Sequence, residues 1–213
     1  MASTSGDRIE QFPASLDHPA VNHRFVPPGD AEDDSRLVEA AREGNRVAFG
    51  QLYDRYSRMV HGILLARVPL SEVDDLVQDV FLRALPRLHT LRDVTRFGAW
   101  LAAITRNRAN DYHRHAVEEV ELPDELPGDG MESTAAGASG DADARFLLAA
   151  IRGLPETYRE ILLLRLVEGM TGPEIAARTG LKHGSVRVNL HRGMQKLREK
   201  LASIPRAARE QGI

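Results

Sequence analysis

The stretch TGPEIAARTGLKHGSVRVNLHRGMQKLREKL, residues 171–201, predicts two helices joined by a tight turn. Thr171 and Glu174 have the T-x-x-E spacing of a capping box, which opens the first helix. Gly180 supplies the turn, and Leu181 fills the angle between the two helices. The second helix carries an apolar stripe at helical spacing, formed by Val186, Leu190, Met194, Leu197 and Leu201. The segment therefore predicts a helix-turn-helix unit.

The exposed face of the second helix carries residue types that read DNA. Residues 171–201 contain seven basic side chains against two acidic ones, a net charge of +5, although the whole chain has a net charge of -3. Reading the major groove requires donors early in a helix and cations on its flanks. We predict base contacts from Arg187, Val188, His191 and Arg192, with the valine meeting a thymine methyl group. We predict phosphate contacts from Lys182, Ser185, Asn189 and Lys196. An ordinary helical hairpin with a solvated basic face is the alternative.

The chain upstream also shows helical periodicity and no alternation typical of strands. A helical pattern begins at Asp34 or Ser35, which we expect to be N-caps, and after Asn45 one long amphipathic helix runs until Pro69 ends it. Ser71 and Asp74 resemble a second capping box. The helix that it opens has an apolar stripe formed by Val73, Leu76, Val77, Val80, Phe81, Ala84 and Leu85. Thr95 is the expected cap of the next helix.

Composition divides the chain into two helical units. Residues 1–30 are rich in proline and poor in large apolar groups, which predicts a disordered tail. Residues 116–143 contain nine acidic and no basic side chains among Pro, Gly, Ser and Ala, which predicts a flexible acidic linker. We therefore predict an all-α fold with a helical bundle at 31–115, a helix-turn-helix domain at 144–203 and a short tail at 204–213.

Several functional classes are excluded or disfavoured by what the sequence lacks. The chain has no cysteine, so disulfides and thiolate metal sites are excluded. His113 and His115 lack the third ligand that a metal site would need. No apolar stretch reaches the roughly 20 residues of a membrane span, and the N-terminus does not have the pattern of a secretory signal. We expect a cytoplasmic protein with no cofactor and no catalytic residues.

Both halves resemble extracytoplasmic-function sigma factors, which are small alternative sigma subunits of bacterial RNA polymerase. The helix-turn-helix segment and its lead-in LPETYREILLLRLVEGMT resemble the promoter-binding C-terminal domain of that family. The segments AFGQLYDRYSRMVHGI, DDLVQDVFLRAL and FGAWLAAITRNRANDYHR resemble, in order, its polymerase-binding and promoter-melting parts. The resemblance covers residues 35–115 and 145–201. It implies sigma region 2 at 31–115, sigma region 4 at 144–203, and a transcription initiation factor that is not an enzyme.

The resemblance also implies three sets of contact residues. The predicted DNA-reading helix would meet the -35 promoter element. The helix after Ser71 would face the clamp helices of the largest polymerase subunit through Asp74, Asp75, Gln78, Asp79 and Leu82. Contacts to the -10 element are implied for Arg92, Asp93, Arg96, Asn107, Arg108, Asn110 and Arg114. The loop at 89–96 would hold an unstacked base, which needs edge hydrogen bonds and a stacking surface. Phe97 and Trp100 are aromatic candidates for stacking, but their helical spacing favours the core.

Several points remain open from the sequence alone. Val188 and Asn189 stand where many relatives carry Ser and Arg, so the bases read at the -35 element are undetermined. A solvated acidic face is the alternative for the predicted polymerase contact. The resemblance implies that the acidic linker threads the channel through which RNA later exits, while a solvated spacer is the alternative. Implied partners are core polymerase, through its clamp helices and flap region, and promoter DNA; whether an anti-sigma factor binds is left open.

Two rival functions need only part of these features. A helix-turn-helix regulator that acts without polymerase would use the C-terminal half and leave DDLVQDVF unexplained. A serine recombinase also ends in a helix-turn-helix domain, but it requires an α/β catalytic domain, and the N-terminal half shows no strand pattern.

Overall fold

The computed structural model describes residues 31–120 and 139–203, with side chains at 32–115 and 144–203. These residues form eight α-helices and three short 3-10 helices, with no strand among them, which confirms the predicted all-α fold. The α-helices are α1 (Ala31–Arg42), α2 (Arg46–Leu65), α3 (Val73–Ala84), α4 (Phe97–Val120), α5 (Ser139–Arg152), α6 (Glu156–Leu166), α7 (Gly172–Thr179) and α8 (His183–Ser203). The 3-10 helices are Leu70–Glu72, Leu85–Thr90 and Val94–Arg96. Among the described helices, none is long and apolar enough to cross a membrane.

The first two helices are separated by a tight turn. The prediction that Asp34 or Ser35 caps the first helix is wrong, because α1 already begins at Ala31. The Asp34 carboxylate instead accepts hydrogen bonds from side chains of α2, at 2.6 Å each from Arg55 and Tyr56. Asn45 caps α2, and its side chain accepts bonds from the first backbone N–H groups of that helix.

Two predicted caps in the N-terminal half do not form. The Ser71–Asp74 capping box is wrong, because a 3-10 turn precedes α3 and the helix has no side-chain cap. The Ser71 hydroxyl donates to the carboxylate of Glu72 at 3.3 Å. Thr95 is not a cap either: the Asp93 carboxylate accepts from the Thr95 backbone N–H at 3.0 Å and from its hydroxyl at 2.6 Å. An acidic residue two positions earlier therefore organises the entry to α4.

One apolar core runs through both halves of the chain. Side chains of α2 and α4 that are almost completely buried include Leu52, Met59, Ile63, Phe97 and Leu101. The buried run 161–164 of α6 continues the same cluster from the C-terminal half. Contacts between α2 and α6, and between α4 and α7, join the two halves directly.

The helices extend into both ends of the predicted linker. Helix α4 continues to Val120 and α5 begins at Ser139, so part of the segment 116–143 is helical rather than irregular. The acidic side chains of that segment, and the predicted tails at 1–30 and 204–213, lie outside the described residues.

Candidate nucleic-acid and polymerase interfaces

The helix-turn-helix unit has the geometry that its sequence predicts. The backbone N–H of Thr171 donates to the Glu174 carboxylate at 2.7 Å, and the Thr171 hydroxyl accepts from the Glu174 N–H, which completes the capping box. Burial raises the pKa of Glu174, but the hydrogen bonds from Thr171 outweigh it and the pKa is lowered overall. Gly180 has a left-handed conformation with φ of 72°, which few residues other than glycine adopt, and it ends α7. These features fix the angle at which α8 leaves the turn.

Helix α8 presents the predicted DNA-reading side chains on an open face. Buried Val186 and Leu197 anchor the opposite side of the helix. Val188 is 45% exposed, although it is a large apolar residue, which suits an apolar contact to a partner. Asn189 is the one residue of the predicted DNA-contact set that is half-buried. The exposed members of the set are Lys182, Ser185, Arg187, Val188, His191, Arg192 and Lys196.

The predicted polymerase face of α3 is exposed along one line. Asp75, Gln78 and Leu82 follow each other at the spacing of one helix face, and all three are exposed. Leu82 is 71% exposed, which is unusual for a leucine on a helix that buries its other apolar residues. Asp74 is half-buried at the edge of this line. An apolar residue among polar ones, left open to solvent, is what a protein partner would cover.

Asp79 has an internal partner that the sequence did not reveal. Its carboxylate accepts a hydrogen bond from Arg83 at 2.9 Å, one turn along α3, and another from Arg108 on α4. Burial raises the pKa of Asp79, but the two guanidinium groups outweigh it and the pKa is lowered overall. Asp79 therefore ties α3 to α4 and holds Arg108, which was itself predicted to lie near the -10 element.

The side chains predicted to meet the -10 element surround a shallow cavity and continue along α4. The cavity has a volume of about 340 Å³ and is lined by Arg92, Asp93, Arg96 and Trp100, with Leu91 and Ala99. Trp100 is half-buried and borders this space, whereas Phe97 is buried beneath it with the two ring centroids 5.8 Å apart. The core assignment is confirmed for Phe97. The exposed members of the set on α4 are Asn107, Asn110 and Arg114.

A buried glutamate of α6 is held by arginines from the other half of the chain, and the sequence did not predict it. Glu160 is 6% exposed. One of its carboxylate oxygens lies 2.7 Å from Arg67, in the turn after α2, and the other lies 2.7 Å from Arg106 of α4. Burial raises the pKa of Glu160, but the two arginines outweigh it and the pKa is lowered overall. The sequence signal was a carboxylate inside the apolar run EILLL, which demands a cationic partner without saying which one.

A second buried glutamate repeats this arrangement. Glu168, in the turn after α6, accepts from the His61 ring nitrogen Nδ1 at 2.6 Å, and its backbone carbonyl accepts from Arg58. Burial lowers the pKa of His61, but the hydrogen bond and charge of Glu168, with a smaller contribution from Asp74, outweigh it and the pKa is raised overall. The carboxylate of Glu168, from the other half, therefore favours the charged form of His61.

Cations from the C-terminal half also cap the end of α2. Arg152 donates to the carbonyls of Leu65 at 3.0 Å and Val68 at 2.8 Å, and Arg159 donates to the carbonyl of Ala66 at 3.2 Å. The C-terminus of a helix carries a partial negative charge, so positive side chains are stabilising there. Arginines of the N-terminal half thus bind carboxylates of the C-terminal half, and arginines of the C-terminal half bind backbone carbonyls of the N-terminal half.

The His61–Glu168 pair predicts a pH-dependent stability. Because the folded-state pKa of His61 is raised, its contribution is complete below the ordinary histidine pKa of about 6.5 and is lost as the pH rises through the raised value. We expect the free energy of unfolding in urea to fall across that window in the parent protein and to fall less in His61→Gln. Parallel pH profiles for the two proteins would contradict the assignment.

Comparisons with known proteins identify both halves. The Sigma-70 region 2 family matches residues 52–118, and the Sigma-70 region 4 family matches residues 147–197. The chain is 33% identical over 171 residues to the RNA polymerase sigma factor CarQ of Myxococcus xanthus, which covers 78% of this chain and 97% of CarQ. The chain belongs to the ECF sigma factors of the sigma-70 family. Sigma factors bind core RNA polymerase and recognise promoters, and as a class they are initiation factors without an enzymatic activity.

Two further relatives agree with this family. The ECF RNA polymerase sigma factor BldN of Streptomyces coelicolor is 32% identical over 170 residues, which covers 76% of this chain and 63% of BldN. Among solved structures, that of CnrH in complex with the cytosolic domain of CnrY has a TM-score of 0.55 at 30% identity, and it covers 81% of this chain and 99% of that chain. The two-part helical architecture is therefore that of a sigma factor with regions 2 and 4.

Proposed function

We propose that this sigma factor binds core polymerase through α3, holds the -10 element at α4 and the loop before it, and reads the -35 element with α8. The observation that carries the proposal is the open face of α8, where donors and cations stand on a helix fixed by a capped turn. We further propose that the protein acts in the cytoplasm, as a polymerase subunit and not as a catalyst.

The exposed line of α3 is the proposed polymerase contact. Asp75 supplies a negative charge, and Leu82 supplies apolar area that no part of the described chain covers well. Complementary charge speeds association and selects the partner, while a few side chains buried at the centre of an interface contribute most of the affinity. The partner surface should therefore be basic with an apolar centre.

The cavity beside Trp100 is the proposed site for an unstacked base. Its rim carries Arg92 and Arg96, which can bind phosphates, and Trp100 offers a ring face for stacking. The Asp93 hydrogen bonds to Thr95 keep the rim in one conformation, so little ordering entropy is lost on binding. The exposed amides of Asn107 and Asn110 extend this surface along α4.

The direct test is reconstitution with core RNA polymerase. The full chain should co-purify with core polymerase and should confer transcription from a promoter selected by the resulting holoenzyme. A chain that binds DNA without polymerase, or that gives no promoter-dependent RNA, would contradict the proposal. The same assay excludes the two rival functions, because neither needs polymerase.

Base reading and phosphate binding by α8 can be separated by two substitutions. Arg187→Ala is expected to cost about 1 to 3 kcal/mol on the selected promoter and to relax base preference, since Arg187 lies early in the helix. Lys196 lies late in α8. Lys196→Ala should therefore weaken binding to all DNA sequences alike and reduce the slope of log affinity against log salt concentration by about one. Binding is measured across a salt series on selected and scrambled DNA. Equal losses on both DNAs for Arg187→Ala would rule out its base-reading role.

A further inference from the structure

Helix α1 lies against the loop that is proposed to hold the unstacked base. None of the polymerase and DNA contacts proposed above involves this helix. It packs against the two 3-10 helices, Leu85–Thr90 and Val94–Arg96, that flank the loop on its two sides. Whatever fixes the position of α1 therefore also affects the position of the loop.

Arg42, the last residue of α1, bonds twice to the backbone of this segment. Its Nε donates to the carbonyl of Leu88 at 3.0 Å, and its Nη2 donates to the carbonyl of Leu91. The first 3-10 helix ends between these two carbonyls. The last carbonyls of a helix have no donors within the helix, and a positive side chain is stabilising at that end. Arg42 therefore caps the 3-10 helix from a separate element.

The two capped carbonyls belong to buried residues. Leu88 and Leu91 both pack into the core. The Leu88 carbonyl also accepts from the Leu91 backbone N–H at 3.2 Å, whereas Arg42 is the one donor to the Leu91 carbonyl among the described residues. A backbone carbonyl that loses its partner away from water costs free energy. Removal of the Arg42 guanidinium should therefore make this segment shift.

Leu91 connects the Arg42 contact to the cavity. It lines the cavity, and the next two residues, Arg92 and Asp93, belong to the rim, whereas Arg42 does not line the cavity itself. Beyond the rim, the Asp93 carboxylate bonds to Thr95. The loop is thus fixed on one side by Arg42 and on the other side by its own Asp93.

The beginning of α1 is fixed as well. Asp34 accepts hydrogen bonds of 2.6 Å from Arg55 and from the Tyr56 hydroxyl, and Asp33 accepts another from Arg55. These bonds join the first turn of α1 to α2. Donors on a helix that is itself held in place are positioned more precisely than donors on a loop.

We propose that Arg42 is a positioning residue for the unstacked base: it keeps the loop in the conformation that receives the base, without touching the DNA. The inference rests on the proposed function, which places a base of the -10 element in the cavity. A loop that is already ordered loses little entropy when the base enters. The guanidinium suits this role because two of its nitrogens donate at a fixed spacing, whereas lysine carries all its donors on one nitrogen.

The test measures the affinity of the holoenzyme for a promoter fragment whose -10 element is single-stranded, so that duplex opening does not contribute. A series of fragments carries one abasic site each, and the captured base is the one whose removal weakens the parent most. We expect Arg42→Ala to bind the intact fragment about tenfold more weakly than the parent. Removing the captured base should cost the parent about tenfold and Arg42→Ala less than about twofold, because the released loop no longer holds that base.

Arg42→Lys and Arg36→Ala are the comparison variants. Arg42→Lys keeps the charge but loses the fork of two nitrogens, so it should lie between the parent and Arg42→Ala in both measurements. Arg36→Ala removes the same charge from an exposed position of the same helix and should match the parent. Each variant should keep its helix content by circular dichroism and its affinity for core polymerase. If Arg42→Ala does not fold, Arg42→Lys provides the same comparison with a smaller expected difference.

Losses that simply add would overturn the proposal. If the abasic site costs Arg42→Ala as much as it costs the parent, Arg42 does not position the base, and a slope against log salt reduced by about one would identify a direct phosphate contact instead. A parallel loss of polymerase affinity would identify a merely structural residue, and unchanged binding of the intact fragment would also overturn the role. If no abasic site weakens the parent, base capture itself fails, and the role of Arg42 fails with it.

Discussion

Asp75→Arg is expected to lower the affinity for core RNA polymerase about 30-fold, or roughly 2 kcal/mol. Asp75 is exposed on α3 beside Gln78 and Leu82, and no ion pair in the described structure involves it. Its reversal puts a cation opposite a surface expected to be basic, so attraction is replaced by repulsion. The fold should be unaffected, because substitutions at exposed positions usually change stability by less than about 0.5 kcal/mol.

The control for this prediction is a charge reversal at an exposed position outside the α3 face. Glu43→Arg, at an exposed position in the turn after α1, changes the net charge equally and should leave polymerase binding within about twofold. Affinity is measured at several salt concentrations, since an electrostatic loss must shrink as salt rises. If a folded Asp75→Arg protein binds polymerase as the parent does, the α3 face is not the contact.

Asp79 would be a poor choice for the same experiment. Its carboxylate holds Arg83 and Arg108, so a lysine or arginine there would face two cations and displace Arg108. A loss of function would then report on the link between α3 and α4 as well as on polymerase. The sequence alone placed Asp74, Asp75 and Asp79 in one row, and only the structure separates an exposed carboxylate from a bonded one.

Local signals in the sequence predicted the helix-turn-helix unit well. The Thr171–Glu174 box and the left-handed Gly180 are short-range devices, because all the partners lie within a few residues. The cap before α4 was mispredicted for a related reason. Several nearby residues can supply such a hydrogen bond, and the Asp93 carboxylate accepts from the backbone N–H of Thr95, the residue expected to be the cap.

The contact between the two halves could not be predicted from periodicity. A buried carboxylate such as that of Glu160 requires a cationic partner, but Arg67 and Arg106 are 93 and 54 residues away along the chain. The acidic segment between the halves predicted two domains, but it did not predict that the described helices of both would share one core. The composition of a linker indicates how freely two domains can move. It does not indicate whether the surfaces of the two domains are complementary.

Glu160→Ala is expected to weaken the contact between the halves by about 3 to 5 kcal/mol, the usual cost of removing one member of a buried ion pair. The carboxylate is 6% exposed, and its loss leaves Arg106 without its carboxylate partner and Arg67 with only the exposed Glu156. Halves that unfold together in the parent should then unfold separately in urea. Trp100 is the single tryptophan, so its fluorescence follows the N-terminal half, while circular dichroism follows helices of both. The two transitions should coincide in the parent and diverge in the variant.

The conservative variant and the pH dependence identify the charge as the cause. Glu160→Gln keeps an acceptor and should fall between the parent and Glu160→Ala, whereas Glu39→Ala, at an exposed position of α1, should match the parent. Because the pKa of Glu160 is lowered in the packed form, its contribution is complete above the ordinary glutamate pKa of about 4.3 and is lost as the pH falls through the lowered value. Parent and Glu160→Gln should therefore converge only in acid. If their difference stays constant down to the lowest pH at which both are folded, or if Glu160→Ala unfolds like Glu39→Ala, the buried ion pair does not hold the two halves together.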